Sequence, residues 1–194
     1  MIALYAFDHE LARAPRVASN SLLGEIRLTW WREVLDEAFE GRAVRQHPTA
    51  IALAAAIRGR GLTREPLEYM IDARYRELDP APMNLEDALA WASDTGGAAA
   101  VAAARVLDPN ADAQAVRSGG QAWSIGRLMS TAGMTGEGTT AALEQALAGA
   151  RGVSTAAFPA IAHAALSRDR AKGRQPTGLS ARWRILAAVL RGRV

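Results

Sequence analysis

The feature that most restricts the fold is the stretch "SLLGEIRLTWWREVLDEAFE" at 21–40. Its apolar side chains recur at helical spacing, not at the alternation of a strand. On a helical wheel at about 100° per residue, Leu23, Ile26, Leu28, Trp30, Trp31, Val34, Leu35, Ala38 and Phe39 form one wide apolar arc. Glu25, Thr29, Arg32, Glu33, Asp36 and Glu40 form the polar arc. An arc that holds two adjacent tryptophans is too wide for one neighbour, so several helices must cover it. Arg27 falls near its middle as the one charge there.

The rest of the chain follows the same pattern. Alanine- and leucine-rich blocks alternate with Pro and Gly, and runs of Val, Ile and Thr are scarce, which favours an all-α fold. The pattern predicts nine helical segments. The first spans 2–13 and stops before Pro15; the second spans 21–40, capped by Ser19 or Asn20 and stopped by Gly41. The third spans 49–58, and the fourth runs from Thr63 to Leu78. The fifth starts at the N-cap Asn84, with Glu86 and Asp87 in its first turn, and reaches Leu107 with a bend at Gly96-Gly97. The last four span 111–131, 139–150, 155–171 and 179–191. "GMTGEGTT" and "KGRQPTG" read as loops. Neither they nor Gly119-Gly120 have the arrangement of a nucleotide-binding loop. With 194 residues, one domain over 1–194 is expected.

Three charges fall inside apolar faces. Asp8 lies between Leu4 and Ala12, on the face of Tyr5, Phe7 and Leu11. Arg27 sits in the second helix, and Arg74 lies among Leu67, Met70, Ile71, Tyr75 and Leu78. An unpaired buried charge costs several kcal/mol. Two arrangements satisfy these groups. In one, Asp8 pairs with Arg27 and locks two helices. In the other, the helices surround a polar cavity where Arg27 and Arg74 face an anionic ligand.

The chain has no cysteine, which excludes disulfides and thiolate chemistry. His9, His47 and His163 have no metal-ligand spacing. The apolar runs are far shorter than the roughly 20 residues of a membrane-spanning helix, and the first residues lack a signal-peptide pattern. A cytoplasmic location is expected, peripheral to the inner membrane. Residues 168–194 carry eight basic residues and one acidic, net +7, which leaves the remainder at −4 of the total +3. The last helix lines up Leu179, Trp183, Leu186 and Leu190, with Arg182, Arg184, Arg191 and Arg193 around them. One reading is a packed helix with a solvated basic face. The other is membrane-surface contact through 179–193 or an acidic protein partner. Nucleic acid is not expected, since no recognition motif is present.

"LYAFDHELARAP" followed by "LLGEIRLTWWREVLDEA" resembles the squalene/phytoene synthase family. "YMIDARYRELD", "WASDTGGAAAVAAARVL" and "GGQAWSIGRLM" follow in the family's order and spacing, and "HAALSRDRAKGRQPTGLSARWRILAAVLRG" is similar to the end of its bacterial branch. The resemblance implies an isoprenoid-synthase-like helical bundle around a central cavity, here shortened. It also implies Tyr5, Asp8, Arg27, Asp72, Arg74, Glu77 and Gln121 as ligand-binding candidates. Family members join two prenyl diphosphates head to head, with aspartate-rich motifs that hold Mg²⁺ on the diphosphates.

Here the motif after "YAF" reads "ELARAPR", with Ala12 and Arg13 where aspartates are expected. The later acidic segment reads "STAGMTGEG", without aspartate. Only Asp72 and Glu77 stand for paired carboxylates, so a Mg²⁺ role rests on them alone. The chain therefore resembles the family branch without these motifs, which includes a mitochondrial complex I assembly factor. The implied function is a protein with weak or no prenyl transfer. It would bind a prenyl diphosphate, isoprenoid or lipid, or assist assembly of a membrane complex. An active Mg²⁺-dependent prenyl transferase and a plain helical interaction module are the other readings.

Overall fold

The computed structural model describes residues 1–17, 20–174 and 176–194. Among them all regular structure is helical and no strand occurs, as the periodicity predicts. No helix among the described residues is long and apolar enough to cross a membrane. The chain divides into two compact units, Met1–Pro82 and Met83–Val194.

The first unit is built from α1 (Ile2–Val17), α2 (Ser21–Phe39), α3 (Pro48–Arg60) and α4 (Arg64–Tyr75), which runs into a 3₁₀ turn at Arg76–Leu78. Asn20 caps α2: its side chain accepts a 2.9 Å hydrogen bond from the Leu23 N–H. Ser19, the other cap candidate, lies outside the described residues. Pro48 opens α3, and Gly61 closes it in the left-handed conformation at φ 62°. α1 packs against all three other helices. Leu4, Phe7, Leu11, Leu28, Val34, Leu35, Leu53, Leu67, Met70 and Ile71 fill the core, each at most 1% exposed. Burying each such side chain contributes about 1.5–3 kcal/mol.

The expected stop of α1 before Pro15 is not observed, because the helix continues to Val17. Proline removes one backbone donor from the final turn, while Leu11, Ala12 and Ala14 remain buried on its packed face. Packing outweighs the lost bond.

The second unit is organised around α7 (Ala113–Thr131). α5 (Leu85–Ala92), α6 (Ala98–Leu107), α8 (Glu137–Gly149) and α9 (Ser167–Ala171) all pack on it. The expected bend at Gly96-Gly97 is a π-helical turn, Ser93–Gly97, between α5 and α6. Such turns come from one extra residue in the hydrogen-bond ladder. Here it lies directly on α7. A Cβ added to Gly120 would come 2.1 Å from the Gly96 carbonyl oxygen. The Gly119-Gly120 pair thus serves close helix packing. Asp112 caps α7 through hydrogen bonds from the N–H groups of Gln114 (2.9 Å) and Ala115 (3.2 Å).

The single helix expected over 155–171 is two 3₁₀ turns, Phe158–Ala160 and Ala162–Leu166, followed by α9. Pro159 lies inside the first turn, and its ring and missing donor break the α-helical ladder there. The unit ends with α10 (Gly178–Arg191), which packs on the turn Ala162–Leu166.

Candidate functional site

Arg74 of α4 is 1% exposed, as its place in an apolar face requires. Its Nη2 donates a 2.9 Å hydrogen bond to Oδ1 of Asp8, and its Nη1 donates a 2.6 Å bond to Oε1 of Glu77. The chain thus brings together three of the expected site residues. They form an ion triad in which one guanidinium serves two carboxylates. Charge-assisted bonds of this kind hold only if both signs are present, because removal of one partner leaves a buried charge behind. Tyr5 lies on the α1 surface near Asp8. Burial of its phenol and, secondarily, the charge of Asp8 raise its pKa above the ordinary value of 10.0.

A second set of contacts runs along the α2–α4 seam. The Thr29 hydroxyl lies 3.2 Å from the Tyr75 hydroxyl, Arg32 pairs with Asp72, and Asp36 pairs with Arg64. Arg64 also donates a 2.7 Å bond from Nε to Glu68. The pairs ascend α2 as they descend α4, so the two helices are antiparallel. Asp72, expected as a ligand-binding carboxylate, is half exposed and already engaged by Arg32. Arg32 was legible only as a residue of the polar arc. Its partner lies 40 residues away and follows from tertiary packing.

Arg27 departs from expectation. It is exposed, and Asp8 pairs with Arg74 instead of with Arg27. Among the described residues Arg27 makes no ion pair. The reason is axial. A wheel collapses a helix along its length, and Arg27 shares an angular sector with the buried Val34 and Ala38. It sits about two turns nearer the N-terminus, where the packed face opens. There it borders a groove of about 280 Å³ with Glu10, Ala14, Ile26, Trp30, Trp31 and His47. The Trp30 and Trp31 rings meet edge to face at 4.8 Å, and the His47 ring lies 5.6 and 5.4 Å from them. The Arg45 guanidinium stacks 5.6 Å from the Trp30 centroid. His47 and Arg45 were not expected at a site. The visible signal for His47 was its position before Pro48, at the start of α3.

Gln121 belongs to the second unit. Its Nε2 donates a 3.2 Å bond to the Leu89 carbonyl. It lines a groove of about 430 Å³ with Leu89, Gln114, Ser118, Ala142, Gln145, Ala146 and Gly149. No charged side chain lines this groove, so it offers no grip for a diphosphate.

The donor set does not fit Mg²⁺. This ion needs oxygen ligands that converge in near-octahedral geometry. Asp72 lies on α4 and Glu77 in the 3₁₀ turn that follows it, and each holds an arginine. Among the described residues no group of three or more His, Asp or Glu side chains is placed to hold a metal ion.

The squalene/phytoene synthase family profile matches residues 1–132. NADH dehydrogenase (ubiquinone) complex I assembly factor 6 of Bos taurus is 33% identical over 94 residues, 48% of this chain and 28% of that protein. The protein of the same name in Rattus norvegicus is 34% identical over 77 residues, 40% and 23% of the two chains. The Homo sapiens protein is 29% identical over 96 residues, 49% and 28%. The matches thus span under a third of each relative's length. With more than half its length matched by the profile, the chain belongs to the squalene/phytoene synthase family.

Proposed function

We propose that this chain is a non-catalytic member of its family, a binding protein that assists assembly of a membrane complex and does not join prenyl diphosphates. The observation that carries this reading is the consumption of its remaining carboxylates. Asp8 and Glu77 share Arg74, and Asp72 holds Arg32. Head-to-head transfer needs acidic side chains free to hold metal on a diphosphate and arginines free to receive it. Here the three carboxylates are each held by an arginine, Arg74 or Arg32.

The names of the relatives support the positive half of the reading, since each is a complex I assembly factor. The groove beside Arg27 supports a ligand role. Two indole rings and one exposed guanidinium match an isoprenoid or lipid with an anionic end. A protein partner is part of the same proposal, as is a cytoplasmic location at the inner membrane.

Deletion of the coding sequence in the source organism tests the assembly role. Native gels of its respiratory membranes should show less assembled NADH dehydrogenase and an accumulated sub-complex. An unchanged complex in the deletion strain counts against assembly.

A further inference from the structure

The helix α10 packs on the turn Ala162–Leu166 through the side that carries Ala181, Ile185 and Ala188. Ala188 is 5% exposed, and Ala181 and Ile185 share its side of the helix half-buried. The large apolar side chains lie on the opposite side. Leu179, Trp183 and Leu190 are 71%, 65% and 79% exposed, with Leu186 beside them. At about 100° per residue these four fall within a narrow sector roughly opposite Ala188. An ordinary surface helix buries such a stripe. Here an ion pair between Arg184 and Asp169 holds the helix in the reverse sense.

The charges around the stripe bear on its partner. Arg182 flanks it on one side, Arg193 follows just beyond the helix end, and Arg191, also exposed, lies in the last turn nearer the packed side. None of the three makes an ion pair among the described residues. The helix "GLSARWRILAAVLR" contains no acidic residue, and Asp169, the only acid in 168–194, is engaged by Arg184. Beside Trp183 a groove of about 480 Å³ has Arg168, Arg184, Arg191 and Arg193 along its walls. A second copy laid stripe to stripe would bring more arginines and no acidic side chain against this helix. A bilayer with anionic headgroups offers an apolar layer below and negative charge at the flanks.

We propose that α10 is a membrane-surface helix, which lays Leu179, Trp183, Leu186 and Leu190 into the interface of an anionic bilayer while the flanking arginines meet the headgroups. The helix would lie in the membrane plane over about 21 Å. This goes beyond the assembly reading and does not depend on it.

Flotation of the whole chain with phosphatidylglycerol/phosphatidylcholine vesicles tests it, with pure phosphatidylcholine as the comparison. The chain should bind the anionic vesicles at low salt, at least about tenfold more tightly than the neutral ones. Binding should weaken as salt rises. The variant Leu186→Gln/Leu190→Gln changes exposed side chains and should melt as wild type, yet lose at least about tenfold in binding. Arg182→Gln/Arg191→Gln/Arg193→Gln should lose about fivefold per charge. A blue shift of tryptophan emission on binding should vanish in Trp183→Phe. Absence of binding at low salt overturns the proposal, as does binding that neither variant weakens. A concentration-dependent dimer that Leu186→Gln/Leu190→Gln abolishes, with no vesicle binding, also overturns it and assigns the stripe to a second copy.

Discussion

Asp8 accepts a 2.9 Å hydrogen bond from Arg74 across 66 residues of chain, and both groups lie in faces that are otherwise apolar. The contact joins α1 to α4, and Glu77 completes it from the following 3₁₀ turn at 2.6 Å. The arrangement predicts a large asymmetry between two arginines. Arg74→Met should destabilise the fold by about 3–5 kcal/mol, because it leaves Asp8 and Glu77 without their counter-charge. Arg27→Gln should stay within about 0.5 kcal/mol, as exposed substitutions do. Urea melts of both variants measure this. A double-mutant cycle should find coupling between positions 8 and 74 and none between 8 and 27.

Two glycines on helices should respond in opposite directions to alanine. Gly120→Ala places a methyl group 2.1 Å from the backbone carbonyl of Gly96. The π turn must move, at a cost of about 1–3 kcal/mol or more. Gly59→Ala lies within α3 with no atom within 4 Å of the new Cβ, so it should stabilise by about 0.5–1 kcal/mol. Thermal melts decide both signs. A neutral Gly120→Ala would show that the contact between α7 and the turn is loose.

Tyr5 should leave a signature in alkali. Burial of the phenol and the charge of Asp8 hold its folded pKa above 10.0. The folded state therefore favours the protonated phenol. That contribution is complete below the unfolded pKa and is lost as pH rises through the folded value. Tyr5→Phe should flatten this part of the stability–pH curve and leave the neutral region unchanged. Equal alkaline slopes in the two proteins would contradict the assignment.

What the sequence revealed, and what it hid, follows from the physics of each element. The caps at Asn20, Asn84 and Asp112 are local, since a side chain reaches its own helix start, and the sequence shows the first two directly. The burial of Arg74 followed from its apolar neighbours one turn away. The partner of Asp8 did not, because a wheel carries angle but no axial position. Periodicity also identified α10 as amphipathic. It could not say which side packs, since small residues that allow close approach leave no hydrophobic signal. The site expectation mixed residues of two units. Tyr5, Asp8, Arg27, Asp72, Arg74 and Glu77 lie in Met1–Pro82, whereas Gln121 lies in Met83–Val194. Family spacing orders such residues along the chain without showing which are already engaged.

The most direct test of the non-catalytic reading is product formation. Purified chain is incubated with Mg²⁺ and labelled farnesyl or geranylgeranyl diphosphate, and the lipid extract is resolved for head-to-head products. With Asp8, Asp72 and Glu77 each held by an arginine, no product should form above a blank without protein. Steady formation of a squalene- or phytoene-type product, in proportion to protein and dependent on Mg²⁺, would contradict that reading.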